Sequence, residues 1–328
     1  MDVVVFISAV LAHAPPIVFA VLGETITEKA GVINLSLDGS IMLAAMVGFA
    51  VASETGSVVA GFAVAMLAGA LIALIIAFLS LTLHQPQVAT GFVLTLLCRD
   101  LAFVFGNAYT GRPAVLVPHT PIPGLAGLPV IGTILFDQDP IVYLSLVAIF
   151  LAWFYISRTR LGLELRGLGE RPAAAYARGL RVTLLRYLYT AAGGALVGLG
   201  GASFSLLVDP GWSRPCGFQG IGWIALAIVI FGNWQPIRAS IGVYFFVTLQ
   251  MLASTLQSAM PTVPTQVFPT LPFPIMILTL LLVTIGNAEW VYRALNDLPP
   301  AVRRLVLRIL MALQTSPPAA LGTVLKKD

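Results

Sequence analysis

Residues 157–186 read SRTRLGLELRGLGERPAAAYARGLRVTLLR, and nothing else in the chain looks like water-soluble protein. Arg158, Arg160, Arg166, Arg171, Arg178, Arg181 and Arg186 stand against only Glu164 and Glu170. Seven of the 18 Lys and Arg residues therefore share one short connector. Apolar runs flank it, Ile141 to Ile156 before and Tyr187 to Val208 after. By the positive-inside rule a basic connector between two spans faces the cytoplasm. This reading decides the fold class: an all-α, polytopic bundle of membrane helices with one cationic inward module. Such a module either only fixes topology or also docks a partner.

Composition agrees. The 328 residues are 58% hydrophobic and 10% charged, against about 25% charged in a typical soluble domain. A net charge of +4 is no nucleic-acid footprint, because the cations gather in the connector and the C-terminal tail as topology requires. Cys98 and Cys216 are far apart and suggest neither a disulfide framework nor a metal site. His13, His84 and His119 are scattered, with no acidic partner at ligand spacing. No serine, cysteine or aspartate has a base at useful spacing, so no catalytic residue is assigned. Residues 106–113, GNAYTGRP, imitate a phosphate loop, but Arg112-Pro113 replaces the Lys and Ser/Thr that hold phosphate and Mg²⁺.

A span needs about 20 apolar residues. Nine are expected, at 3–23, 34–52, 57–82, 88–106, 140–157, 187–208, 219–233, 238–258 and 271–291, with eight or ten as alternatives. Nine spans with 158–186 inside put the N-terminus outside and the C-terminus inside. The seventh is short and reads as tilted, broken or re-entrant. Val3 to Ala14 superficially resembles a signal peptide, but Asp2 stands where a positive residue belongs and apolar sequence resumes after Pro15-Pro16. A retained, proline-interrupted span is the expectation. Residues 1–298 thus form the transmembrane domain. Residues 107–140, rich in Pro and Gly, form a structured outer cover. Residues 299–328 form a basic amphipathic helix in the inner headgroup region, followed by a disordered tail beyond Ser316. Small residues at Gly194, Gly198 and Ala202, and at Gly61, Ala65 and Gly69, make faces for close helix approach.

Polar groups at membrane depth are costly unless satisfied or lining a wet path. Glu24, Asn34, Ser36 and Asp38 interrupt apolar sequence between the first two spans, and Gly23, Gly31 and Gly39 permit irregular backbone there. The alternative is an ordinary inner loop with a capped helix start at Asn34. Arg99-Asp100 lies within the fourth span. Adjacent helical residues do not face each other, so partners on other helices or an outward-reaching Arg99 are expected.

Three stretches then converge. Residues 30–39, AGVINLSLDG, preceded by Gly23-Glu24 and Glu28-Lys29, resemble a motif of bacterial ABC permeases of the branched-chain amino acid and simple sugar group, nucleoside-type branch. Residues 158–175, RTRLGLELRGLGERPAAA, and 222–236, GWIALAIVIFGNWQP, resemble two further motifs of that branch, in matching order. The resemblance runs from about residue 15 to about residue 290. It implies a permease subunit of a bacterial inner-membrane ABC importer for nucleosides or related simple sugars, with no cofactor of its own. ATP would be bound by partner ATP-binding subunits. A second related permease and an extracytoplasmic solute-binding lipoprotein would complete the complex, membrane lipid would surround it, and no nucleic acid would be involved. Residues 158–186 would include the coupling helix, from Glu170 to Leu180. Gly169, Glu170, Arg171, Pro172, Ala174, Ala175, Arg178 and Gly179 would meet the ATPase, with Arg171, Arg178 and Arg181 exposed. Glu24, Asn34, Ser36 and Asp38 are the candidates for the solute path. Asp38 stands where the branch usually has Glu, which touches substrate identity. Arg171 stands where it usually has Asn, which touches the fit to a given ATPase. An ion-coupled secondary transporter using Arg99, Asp100 and Asp38 is the rival reading, and an intramembrane enzyme is a further one.

Overall fold

The computed structural model describes residues 2–214, 216–260 and 316–323, with residues 274, 277, 278 and 281. All regular structure among them is helical: α1 (Val3–His13), α2 (Pro15–Lys29), α3 (Leu37–Thr55), α4 (Val58–Ala77), α5 (Gln87–Gly106), α6 (Pro140–Arg158), α7 (Arg160–Glu170), α8 (Pro172–Ala177), α9 (Val182–Ser203), α10 (Ile221–Phe231) and α11 (Pro236–Ala259). Six of these, two lengthened by a wider turn at the C-terminal end and one by a tighter turn, are long and apolar enough to cross a bilayer. The α1–α2 pair, bent by 44°, makes a seventh. Its bend falls at Pro15-Pro16, where prolines remove backbone donors and open a new helix.

The expected seventh span at 219–233 is replaced by the 11-residue α10, about 16 Å long and roughly half a bilayer. Glycine stops it on both sides, Gly220 in left-handed backbone (φ 85°) and Gly232 as its C-cap. The span at 271–291 and the amphipathic helix of 299–314 fall almost wholly outside the described residues.

α9 is the hub, packed most extensively on α4, then on α2 and α3. Its glycines make this possible. A methyl group on Gly69 of α4 would strike the Gly194 carbonyl, and one on Gly198 would strike that of Ala65. The small-residue faces close within one chain, so backbones touch where no hydrophobic force would drive them together in lipid. Gly23 and Gly39 serve the same end: both lie inside helices, Gly23 against Gly193 and Gly39 against Thr95. The irregular backbone between α2 and α3 is confined to residues 30–36.

Residues 316–323 are not disordered. They form consecutive turns, with Pro318 and Ala320 buried, because their amides find acceptors on the basic end of the bundle. Arg99 and Asp100 correct another expectation. They are exposed and bonded to each other, Arg99 Nε to Asp100 Oδ1 at 3.2 Å, since a long guanidinium can fold back on its neighbour. His119 does gain acidic partners, Asp137 and Asp139, both at 2.9 Å across the outer cover.

Candidate functional site

The site has two parts, a cationic elbow at one end and a broken helix inside the bundle. The elbow begins at Thr159, whose extended backbone ends α6. Its hydroxyl donates to Tyr155 O (2.6 Å) and accepts from Gly162 N (3.0 Å), which turns the chain sharply into α7. Gly162 is required because a Cβ would strike the Tyr155 carbonyl.

The helix expected over Glu170–Leu180 is two pieces. Pro172 disfavours helical backbone at the residue before it; Arg171 is non-helical (φ −143°, ψ 72°) and α8 starts afresh at Pro172. Gly179 (φ +86°) closes α8, its N–H donating to Tyr176 O. Arg171, Ala174, Arg178 and Arg181 are exposed, whereas Gly169 and Ala175 are buried and hold the elbow together. Gly169 and Glu170 belong to the end of α7, and Gly169 lies against the Lys29 carbonyl. Between α7 and α8 lies a cleft of about 460 Å³, lined by Arg160, Glu164, Arg171, Ala174 and Arg178 among others.

The broken helix starts where α2 ends. Gly31 (φ +90°) turns the chain and residues 30–36 climb unwound to α3. Glu24, Asn34 and Ser36 come together here. Asn34 N donates to Glu24 Oε1 (3.2 Å), and Asn34 Oδ1 accepts from both Ser36 N (3.2 Å) and Ser36 Oγ (2.7 Å), which adjoins Ser40 Oγ. Asp38 faces elsewhere. Its Oδ1 accepts from Gly222 N at 3.0 Å, so it caps the start of α10 from 184 positions away. The other end of α10 reaches the basic end of the bundle, where Trp234 lies near Lys29 and Arg166, so one 11-residue helix separates Asp38 from that end. All four residues are buried.

Neighbours that the sequence reading leaves unassigned complete the arrangement. Gln87 Oε1 accepts from Ile33 N (2.8 Å), and Thr95 Oγ1 donates to Leu35 O (2.7 Å). Glu28, one turn beyond Glu24 on the same face of α2, accepts from the indole N–H of Trp234 in the α10–α11 turn. The four-residue spacing of Glu24 and Glu28 is visible in sequence and points to one shared polar face. Two buried polar atoms beside the unwound stretch, Glu24 Oε2 and Gln87 Nε2, have no hydrogen-bond partner among the described residues.

A helical membrane bundle with unwound backbone buried inside it and a basic elbow at one end is built as the transmembrane part of a transporter. The chain belongs to the family of branched-chain amino acid transport system permease components, whose sequence model matches residues 6–283. It is 37% identical over 256 residues to TsgC13 of Haloferax volcanii, a protein provisionally named a glucose ABC transporter permease, covering 77% of this chain and 78% of that one. It is 31% identical to the guanosine ABC transporter permease protein NupQ of Bacillus subtilis, covering 77% and 84%. It is 28% identical to the nucleoside ABC transporter permease protein NupC of Lactococcus lactis subsp. cremoris, covering 76% and 82%. No solved structure matches. The chain is thus a multi-pass inner-membrane protein and the permease subunit of an ABC importer, a family that works with ATP-binding subunits and a solute-binding protein.

Proposed function

We propose that this subunit moves nucleosides inward, in a pair with a second related permease, driven by ATP bound and hydrolysed on partner subunits. The observation that carries the coupling part is α8, a short helix seated through Ala175 on α7 and α9, with Arg171, Ala174 and Arg178 exposed beside an open cleft. It suits a groove on an ATPase whose closure pushes the elbow. The basic end then faces the cytoplasm, the N-terminus lies outside, and about nine spans put the C-terminus inside. Glu24, Asn34, Ser36 and Asp38 act as the hinge of the solute path. Unwound backbone lends peptide groups to an uncharged polar solute, and the unpartnered Glu24 Oε2 and Gln87 Nε2 supply an acceptor and a donor for hydroxyls.

Aromatic rings favour a nucleobase over a hexose. Phe204 stacks on Phe218 at 5.0 Å, and Trp212 packs against Phe218 and Phe103 just before α10. The names of NupQ and NupC point the same way; that of TsgC13 supports a simple sugar as the second reading.

Two measurements on the assembled complex in proteoliposomes test this. Labelled guanosine or adenosine is taken up in the presence of ATP and competed by nucleosides; competition by glucose alone would transfer the assignment to sugars. Arg171→Glu with Arg178→Glu abolishes solute-stimulated ATP hydrolysis while membrane insertion is unchanged; undiminished stimulation would remove α8 from the docking surface.

A further inference from the structure

Residues 316–323 bind three motifs at once. Ser316 N donates to Asn233 Oδ1 in the α10–α11 turn (3.0 Å). Ala319 N donates to Glu170 Oε2 (3.2 Å), and Ala320 N to Gly169 O (2.7 Å), at the end of α7. Gly322 N donates to Gly31 O (3.1 Å), at the foot of the unwound stretch. Arg186 of α9 lies beneath them, 1% exposed, its Nη1 donating to Thr323 O (2.7 Å) and its Nη2 to Leu168 O (3.0 Å). Gly31 and Gly169 are fitted to this assembly. A Cβ on Gly31 would come within 2.7 Å of Arg186 Nη2, and one on Gly169 would press on Lys29 O and Pro318.

A buried guanidinium is costly unless carbonyls or carboxylates surround it. Here one carbonyl from each of two separate segments accepts from one of its two terminal nitrogens, which ties each segment to the other. We propose that residues 316–323 and Arg186 form a clasp that makes the end of α7 and the foot of the unwound stretch move as one body. This rests on the reading of α8 as the ATPase contact, since the clasp joins that contact to the hinge. The tail is a positioning element, in contact with neither solute nor nucleotide.

The test is the amount of solute moved per ATP hydrolysed by the assembled complex. A chain ending at Thr315 keeps ATP hydrolysis, while solute per ATP falls about tenfold, the factor that ~1.4 kcal/mol of lost contact represents. Arg186→Gln does the same, and Arg186→Lys recovers part, because an ammonium still serves one carbonyl. Wild-type solute per ATP in the shortened chain would overturn the clasp. Should that chain not assemble, a second variant decides. Asn233→Cys with Ser316→Cys, oxidised to a disulfide, fixes the tail in place, and transport persists because the clasp never opens. Transport lost on oxidation and regained on reduction would show a tail that must leave, an inhibitory plug instead of a clasp. Failure of the docking reading shows as undiminished ATPase stimulation in the Arg171→Glu, Arg178→Glu complex, whereas failure of the clasp alone shows only in the solute-to-ATP ratio.

Discussion

Removing the Asp38 side chain tests whether α10 is held from a distance. In Asp38→Ala the amide of Gly222 loses its acceptor at 3.0 Å, inside protein where no water competes. Removing the charged acceptor from a buried N–H costs about 1.5–3 kcal/mol. Asp38→Asn keeps an oxygen at the Oδ1 position and loses under about 1 kcal/mol. At roughly 2 °C per kcal/mol for a chain of this size, Asp38→Ala melts about 3–6 °C lower and Asp38→Asn within about 2 °C. Helical circular dichroism of the full-length protein in detergent measures both, and uptake by the complex follows the same order because a loosened α10 no longer supports the unwound stretch. An alanine variant that melts with the wild type, or an asparagine variant that is the worse of the two, would show that α10 does not depend on the Asp38 acceptor.

Other outcomes follow from single contacts. Trp234→Phe removes the indole donor from Glu28 and strands a buried carboxylate, lowering stability by about 1–3 kcal/mol; Glu28→Gln combined with it recovers part, and identical melting of all variants would count against the contact. Gly69→Val drives a side chain into the Gly194 carbonyl, costing at least the ~1–3 kcal/mol of overpacking; the yield of folded protein by size exclusion falls, and an unchanged yield would refute so close a crossing. His119 is exposed, but hydrogen bonds to Asp137 and Asp139 raise its pKa. Its contribution is therefore complete below about pH 6.5, the free-imidazole value, and is lost as pH rises through the raised value. Proteolysis of the outer cover at residues 107–139 speeds up over that window, and His119→Gln removes the pH dependence.

Much of the architecture was legible because hydropathy and positive charge act along the chain. The elbow, the proline break near Pro15 and the short helix ending at Gly232 all announce themselves locally. What stayed hidden depends on partners far away in sequence. Gly23 and Gly39 look like glycines that permit irregular backbone, but their neighbours Gly193 and Thr95 make them packing residues. Asp38 stands out in the sequence as a polar residue among apolar ones, but its partner Gly222 is one that no spacing rule could pair with it. Arg186 counts as one more topology-setting arginine until the tail folds over it. The tail itself has the Pro-rich, weakly apolar composition of a loose end, and acceptors on distant segments add to its own turn bonds to hold it in place. Arg99-Asp100 misled in the opposite sense, since a flexible guanidinium reached the adjacent carboxylate that rigid helix geometry points elsewhere.

The backbone at Gly31 offers a way to separate the clasp from ordinary glycine effects. Gly31 and Gly56 both adopt positive φ, +90° and +68°. An alanine at either position bears the left-handed penalty of roughly 1–2 kcal/mol. Beyond that they differ in one respect: nothing lies within 4 Å of a Cβ at Gly56, whereas at Gly31 the Arg186 guanidinium lies 2.7 Å away, with Ala320 O at 3.4 Å. If the two alanine variants lose equal stability but Gly31→Ala alone lowers solute moved per ATP, the loss belongs to the displaced arginine and not to backbone strain. A methyl group there must push Arg186 off Leu168 O or Thr323 O, and either shift frees α7 from the foot of the unwound stretch. Gly56→Ala, in the turn between α3 and α4, leaves that linkage untouched. Equal transport in the two variants would mean that the arginine yields without consequence, and the elbow would then have to act on the hinge by some other route.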